Sequence, residues 1–492
     1  MLTNKKIKSY TTEPYDYHSE EIKERLFSFS PQSHRQIVIP SVQFKSLMSL
    51  IDFKLKGFEP GSADYIGFGD QYFIRISEMS DTDYIFSKTS KTKKLMPQEK
   101  DIKINKGDLC YQTASNVGNV CFYEGEEAYF NSHILKLNIN EDIKYYVFAI
   151  LKSEYNKEQV DIGGSIKGLD NFSEKFLEDT KIPFPEQKEA QNLVSLITQN
   201  IIDKEQQIKA KNEGIDKLIH EELESHSSIT INYPNSNEIT HNNFRFDSGL
   251  YSNEYKSIKL AIETYEHGYF KLLDKYNAKR GQNLQVSNIG LSIYSSELKN
   301  NFYRLVTNVE FTEERTISAF RYLGNKNDLT LIPKNSILLS ADGSVGRCIY
   351  VDDLGKTITN IHPWIITANN KEESYRNVYT AMFLGYLRTV GFYEKIQDKS
   401  NGGGIKLPHL QNWISIPNFP EELQREIAKN YHNEVVINED LTLETYLKAE
   451  KNRNANLGIW QLNMELFTLK ENLEEIISDI VYGEEIKISD YL

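Results

Sequence analysis

Two clusters of side chains have the chemistry to meet a polyanion. The stretch SKTSKTKK, residues 87–94, sets Lys88, Lys91, Lys93 and Lys94 among hydroxyl residues in a loop, where ammonium groups can neutralise phosphates. KYNAKRGQNLQ, residues 275–285, joins Lys279 and Arg280 to Gln282, an amide of the kind that reads adenine through a paired donor and acceptor. A third candidate is a turn that the chain writes twice, as TASNVGNVCFY at 113–123 and SADGSVGRCIY at 340–350. At an offset of about 228 residues Val117 falls with Val345, Gly118 with Gly346 and Tyr123 with Tyr350. On this shared frame Gln112, Ser115 and Asn116 stand against Asp342, Ser344 and Arg347. One frame with different polar tips is what two readers of different base sequences need.

Other chemistries find no support. GSVGR, residues 343–347, lacks the spacing that puts a lysine on nucleotide phosphates, and the aliphatic and aromatic residues after it predict a β-hairpin turn. GGSIKG at 163–168 and NGGGIK at 401–406 open no helix in the dinucleotide-binding manner. They read as flexible turns able to approach a ligand backbone closely, with Lys167 and Lys406 as candidate contacts. There is no [DN]-P-P-[YF] loop, no G-x-S-x-G elbow, no H-E-x-x-H pair and no nuclease carboxylate cluster. The E-x-K triplets at Glu21 and Glu297 read as solvated surface. His133 and His362 occupy matching places beside asparagines, which suits structural, hydrogen-bonded histidines better than a metal site or a general base. Cys110, Cys121 and Cys348 are odd in number and have no C-x-x-C spacing, so they read as reduced core thiols.

The elements that must carry these tips repeat as well. IKINKGDLCY (102–111) answers to TLIPKNSILL (330–339), YFNSHILKL (129–137) to ITNIHPWII (358–366), DIGGSIKGL (161–169) to SNGGGIKLPHL (400–410), and TKIPFPEQKEAQ (180–191) to ISIPNFPEELQRE (414–426). Five blocks in one order indicate duplication. Each copy then runs past Pro185 or Pro420 into acidic residues and a long polar segment, a helix start favoured by proline at the first turn and by the positive end of the dipole. In the first arm Val194, Ile201, Ile208 and Ile215 recur every seven residues, interrupted by Lys204 and Lys211. In the second, Leu462, Leu466, Leu469, Leu473, Ile476 and Ile480 make a cleaner stripe, although 437–458 breaks the arm. Two such stripes can bury each other as an antiparallel pair.

The predicted class is therefore α+β, with two globular mixed α/β domains, each followed by a long helix, and the helices pairing as an antiparallel coiled coil. The boundaries read as a first domain at 1–185, its helix at 186–226, a Ser/Asn-rich linker at 227–243, a second domain at 244–419, a second helical region at 420–482 and a tail at 483–492. The chain's net charge of −13 concentrates in the arms, with −5 over 186–240 and −9 over 420–492, while 241–419 carries +4. The globular parts are thus free to present basic faces. No apolar run has the length of a membrane helix and no apolar stretch follows the N-terminal lysines, so the expected location is the cytoplasm.

In this order of blocks, duplicated across a linker, the chain resembles the specificity (S) subunit of type I restriction-modification enzymes. FRFDSGLYSNEY (244–255) looks like the start of a target domain of that family and YFIRISEMSD (72–81) like its early strand. The resemblance implies a non-catalytic subunit whose two target recognition domains each read half of a bipartite double-stranded DNA site, with the helices spacing them. It implies two methyltransferase (M) subunits and restriction/translocase (R) subunits as partners, a role in phage defence, no cofactor in this chain, S-adenosylmethionine in the methyltransferase, and ATP and Mg in the restriction subunit. The second arm, 421–482, is longer than the first, and ASNVG stands where the second copy has DGSVG. The competing classes are a coiled-coil scaffold without a DNA role and a self-sufficient nuclease or nucleotide-hydrolysing enzyme.

Overall fold

The computed structural model describes residues 39–89, 92–99, 101–167, 174–228, 231, 236–241, 245, 247–370, 373–397, 403–436 and 441–492. They pack as two units, one of residues up to 206 with 436–455 and 464–492, the other of 207–435 with 456–463. Both mix sheets with helices.

The strands of the first unit are β1 (Gln43–Ser46), β2 (Ile51–Lys56), β3 (Tyr65–Ile66), β4 (Tyr72–Ile74), β5 (Ile85–Phe86), β6 (Lys93–Leu95), β7 (Lys103–Ile104), β8 (Leu109–Gln112), β9 (Val120–Tyr123), β10 (Ala128–Phe130), β11 (Ile134–Ile139) and β12 (Lys181–Phe184). One sheet runs β2-β11-β8-β9-β5 and another β3-β6-β4-β10-β7, while β1 and β12 pair antiparallel. The central strands LCYQ and VCFY are buried at every residue, which is why their sequences are apolar runs rather than alternations. Cys110 faces Cys121 across that ladder. Burial raises both thiols, Cys121 to about 11, so they stay protonated. Helix Glu141–Lys152, capped by Asn140 and acidic in its first turn, packs against β9.

The second unit has β13 (Tyr269–Lys271), β14 (Tyr276–Arg280), β15 (Ser292–Ser295), β16 (Tyr303–Leu305), β17 (Arg321–Asn325), β18 (Ser336–Ser340), β19 (Cys348–Val351), β20 (Thr357–Ile358), β21 (Pro363–Ala368) and β22 (Ser415–Pro417). Its sheets run β14-β21-β18-β19 and β15-β17-β16-β20, with β13 paired to β22. This repeats the first unit, down to Tyr146 donating to the Pro183 carbonyl at 2.6 Å and Tyr379 to the Pro417 carbonyl at 2.8 Å. Among the described residues the strand β5 has no counterpart in that sheet. The ladders put Phe122, and not Tyr123, in the place of Tyr350: in the first unit Phe122 N–H donates to the Tyr84 carbonyl beside β5; in the second, Tyr350 N–H donates to the hydroxyl of Tyr431, which in turn donates to the Arg315 carbonyl. A buried tyrosine from helix Glu421–Tyr431 bridges the gap that a strand edge closes in the other copy.

The first arm is one helix, Lys188–Ser225. Within the first unit it lies antiparallel to the C-terminal helix Ile459–Tyr482: Lys204 Nζ donates to Glu465 at 2.6 Å, Lys470 Nζ to Glu205 at 2.9 Å, and Gln187 Nε2 to the Ile486 carbonyl at 3.0 Å. Val194, Ile201, Leu466, Leu473, Ile476 and Ile480 are buried, and Leu469 is half-buried. Lys204, expected to interrupt the apolar seam, is fully buried there with Glu450 and Asn454 of helix Tyr446–Asn456 as further partners. Ile208 and Ile215 are buried in the second unit, where Asp216 on the same helix accepts from Arg315 and Thr389. The second arm is three helices, Glu421–Tyr431, Tyr446–Asn456 and Ile459–Tyr482, the first packed on helix Ser374–Thr389.

Two local expectations change. GGSIK, read as a turn, lies in helix Glu154–Lys167, where the helix-forming run EYNKEQV carries through the glycine pair. Part of the linker, Ser236–His241, is helical.

Candidate nucleic-acid interface

The duplicated turn has one backbone geometry in both units. Ser115 has φ 64° and Gly118 φ 90°; Gly343 has φ 71° and Gly346 φ 86°. Gly118 N–H donates to the Gln112 carbonyl at 3.0 Å and Gly346 N–H to the Ser340 carbonyl at 2.8 Å. Gln112 N–H reaches the Asn119 carbonyl, and Ser340 N–H the Arg347 carbonyl, both at 2.8 Å. The preceding Lys turns also match, with Gly107 at φ 87° and Asn335 at φ 56°. Left-handed backbone at three positions per copy explains why the sequence keeps Gly, Asn or Ser there.

A second shared device escaped the sequence reading. Gly57 after β2 and Gly281 after β14 lie directly over the carbonyls of Asn131 and Asn360, where no Cβ fits. Phe58 N–H then donates to the Phe130 carbonyl at 3.1 Å and Gln282 N–H to the Thr359 carbonyl at 3.2 Å. The glycine after KLK in one copy and after AKR in the other was the available signal. His133 and His362, both exposed, sit alike: their carbonyls accept from Thr113 N–H at 2.8 Å and Ala341 N–H at 3.2 Å.

At the first tip Ser115 and Asn116 are exposed. Gln112 is buried, with its amide donating to the Ala114 carbonyl at 2.9 Å and accepting from Asn119, so it shapes the turn from within. Behind the turn the buried Lys152, unsuspected from sequence, donates to Asn119 Oδ1 at 2.8 Å and the Val120 carbonyl at 3.1 Å. In the lysine loop Lys91 lies outside the described residues. Lys88 lies 4.1 Å and Lys94 5.2 Å from the Tyr72 ring centroid, and Lys93 is exposed on β6. Lys88 also pairs with Glu126 at 3.0 Å, and that hydrogen bond raises its pKa. Lys167 ends its helix, and its side chain lies outside the described residues.

At the second tip Asp342 and Ser344 are half-exposed. Arg347 folds back onto Glu313 at 3.0 Å and the Phe311 carbonyl at 2.6 Å. Burial works against ionisation of Glu313, but Arg388 and Arg347 outweigh it and hold its carboxyl below the usual range. Lys279 is exposed on β14 and Lys406 is exposed at the N-cap of helix Leu407–Asn412. Gln282 accepts from Thr330 N–H at 2.8 Å. Arg280 joins Asp342 at 3.2 Å, and His362 Nδ1 stands 3.4 Å from the same carboxylate oxygen. The structure thus gathers Arg280 and Asp342 and adds His362. Among the described residues no His, Cys, Asp and Glu side chains group as a metal site, and no helix is long and apolar enough to cross a membrane.

Residues 42–217 match the family described as the type I restriction modification DNA specificity domain. No curated protein gives a significant match to the chain. Among solved structures the chain is similar to the type-I restriction-modification system S subunit from M. genitalium, at 14% identity over 91% of this chain and 97% of that one, with a TM-score of 0.42. It is also similar to the HsdS subunit from Thermoanaerobacter tengcongensis, at 14% identity over 91% and 98% with a TM-score of 0.27. A chain from a structure of type I R-M complex assembly and conformational transition gives 14%, 91% and 99% with a TM-score of 0.28.

Proposed function

We propose, starting from the match of residues 42–217 to the type I restriction modification DNA specificity domain, that the whole chain is a specificity subunit with two reading units. The observation that carries this is the turn built twice with the same φ angles and hydrogen bonds, 112–119 and 340–347, bearing different tips. A duplicated frame with altered tips suits two unlike half-sites, because the frame fixes position while the tip residues select bases. The subunit itself is a recognition component and not a catalyst.

Each unit reads one half of a bipartite double-stranded DNA site, and the helical arms set the spacing. Half-sites one duplex turn apart lie about 34 Å centre to centre. Two methyltransferase (M) subunits dock on the chain, and restriction/translocase (R) subunits complete the nuclease. S-adenosylmethionine belongs to the methyltransferase, with base flipping, and ATP and Mg belong to the restriction subunit. The setting is cytoplasmic phage defence. Lys88 and Lys94 beside Tyr72 with Lys93 on the same strand as Lys94, and Lys279 and Lys406 in the second unit, supply phosphate contacts, and Ser115, Asn116, Asp342 and Ser344 face bases.

The test is methylation mapping of DNA from cells that co-express this chain with its methyltransferase partner. A split motif that changes in one half only when residues 244–419 are exchanged is the expected result. A partner whose active methylation does not depend on this chain would leave the non-DNA-binding scaffold as the better account.

A further inference from the structure

Asp342 is held in place from several sides. Its own carbonyl accepts from Asn308 Nδ2 at 2.8 Å and from Ser340 Oγ at 3.0 Å, while Gly343 at φ 71° turns the chain away immediately after it. Gly404 lies so close that a Cβ there would overlap Asp342 Oδ1. Arg280 completes the mount: its guanidinium lies 4.2 Å from the Trp364 ring centroid and donates to the His362 carbonyl at 2.6 Å and the Ile361 carbonyl at 3.3 Å as well as to Asp342 at 3.2 Å. Trp364 is fixed in turn by Nε1 donating to the Ile405 carbonyl at 2.8 Å. The fork of Arg280 is therefore spent inside the protein. It is a brace for Asp342 and not a reader of guanine.

The other copy keeps the turn, with the Gln112 amide on the Ala114 carbonyl and Ser115 at φ 64°, but has neither the carboxylate nor its brace. The register that places Arg280 opposite Trp364 places Lys56 opposite Leu135, and the position of Asp342 in the turn is Ala114. An exposed carboxylate at a DNA-facing tip is repelled by phosphates. It gains only where it accepts a hydrogen bond from an exocyclic amino group. In the major groove cytosine offers its N4 amino beside a plain C–H, whereas the N6 amino of adenine sits next to the N7 acceptor, which repels a carboxylate. We propose that Asp342 is a specificity-determining residue that reads the N4 amino group of one cytosine in the half-site of the second unit, with Arg280 as its positioning residue. This rests on the two-reader function above.

The test uses the full chain co-expressed with its methyltransferase partner and reads the methylated motif. The wild-type chain is expected to give a split motif with an invariant cytosine in one half. Asp342→Asn, which places an amide suited to adenine at the same point, is expected to lower methylation at cytosine-bearing sites about tenfold or more and to move that one position toward adenine, leaving the other half unchanged. Arg280→Lys keeps the charge and loses the fork, so it is expected to relax the same position and to add nothing in an Asp342→Asn background. Should Asp342→Asn reduce the amount of folded chain, Asp342→Glu decides, because it keeps the carboxylate and is expected to keep the cytosine. A wild-type split motif whose bases are all unaltered by Asp342→Asn overturns this inference alone. Absence of any motif dependent on the wild-type chain overturns the two-reader function and this inference with it.

Discussion

Lys204, in the middle of the long helix, donates to Glu465 of the C-terminal helix at 2.6 Å from a fully buried position, and to Asn454 at the same distance. Around it Glu450 also binds Asn200 at 3.0 Å, Arg453 bridges Glu450 and Glu465, and Asn454 reaches Asp203 at 2.8 Å. The network ties helix Tyr446–Asn456, the insertion that lengthens the second arm, to both members of the antiparallel pair. A heptad position that looks like a defect in the sequence is thus the site where the pairing is specified, since a buried charge is tolerated only in the register that supplies its partners.

Removing Lys204 alone leaves two carboxylates to share the single cation of Arg453. Lys204→Ala is expected to destabilise the first unit by about 3–5 kcal/mol in urea denaturation, and Lys204→Met combined with Glu450→Gln and Glu465→Gln to recover much of that loss. Equal damage from both variants would show that packing and not charge balance is at stake.

Gly346 and Gly118 share a positive φ but not their surroundings. A Cβ at Gly346 would strike the ring of Tyr393, which is buried and donates to the Leu384 carbonyl at 3.0 Å. At Gly118 it would meet Val160 Cγ2 at 2.6 Å, a single methyl of a half-buried side chain and not a buried ring. Both alanine substitutions carry backbone strain of about 1–3 kcal/mol, and Gly346→Ala is expected to cost more because the ring cannot yield. Thermal denaturation of the two variants gives the order.

The duplication, the hairpin turns and the buried strands were legible in the sequence because each depends on local chemistry: glycine or asparagine where φ is positive, and unbroken apolar runs where both faces of a strand are covered. What stayed hidden depends on distance along the chain. Nothing near Arg280 announces that its partner is Asp342, and nothing near Tyr431 that its hydroxyl closes a sheet against Tyr350. Gln112 reads as a polar tip from its neighbours, yet the turn folds its amide inward. The Lys204 network needs residues some 250 positions apart, beyond the reach of any periodicity.

Stability will carry a pH slope from Glu474. Burial, and then the neighbouring Glu154 carboxylate, push its carboxyl up to about 7, against a partial offset from the Glu154 N–H that it accepts at 3.2 Å. The folded chain therefore holds a proton that the unfolded chain releases near its ordinary value of 4.5. The contribution is full below that value, declines as pH rises to about 7, and is flat above. Glu205, also raised, first by burial, adds to the same direction. Glu474→Gln is expected to flatten the fall between these limits in denaturation at stepped pH, and an unchanged slope would remove Glu474 as its source.

Lys93 and Lys94 test how the first unit meets the DNA backbone. Lys94 lies beside the Tyr72 ring and Lys93 is exposed on the same strand, so neither is needed to hold the sheet together. If both neutralise phosphates, each one replaced by alanine in the assembled subunit–methyltransferase complex lowers the steepness of log affinity against log salt by about 0.9. Affinity falls alike for cognate and unrelated duplexes, because phosphate contacts carry no base information. Gln112→Ala is the control of opposite kind: its buried amide organises the turn, so its loss is expected to lower the melting temperature of the chain and leave the salt slope untouched. Anisotropy titrations of a labelled duplex across a range of salt concentrations separate the two, and a double lysine variant with the wild-type slope would place the phosphate contacts elsewhere on the unit.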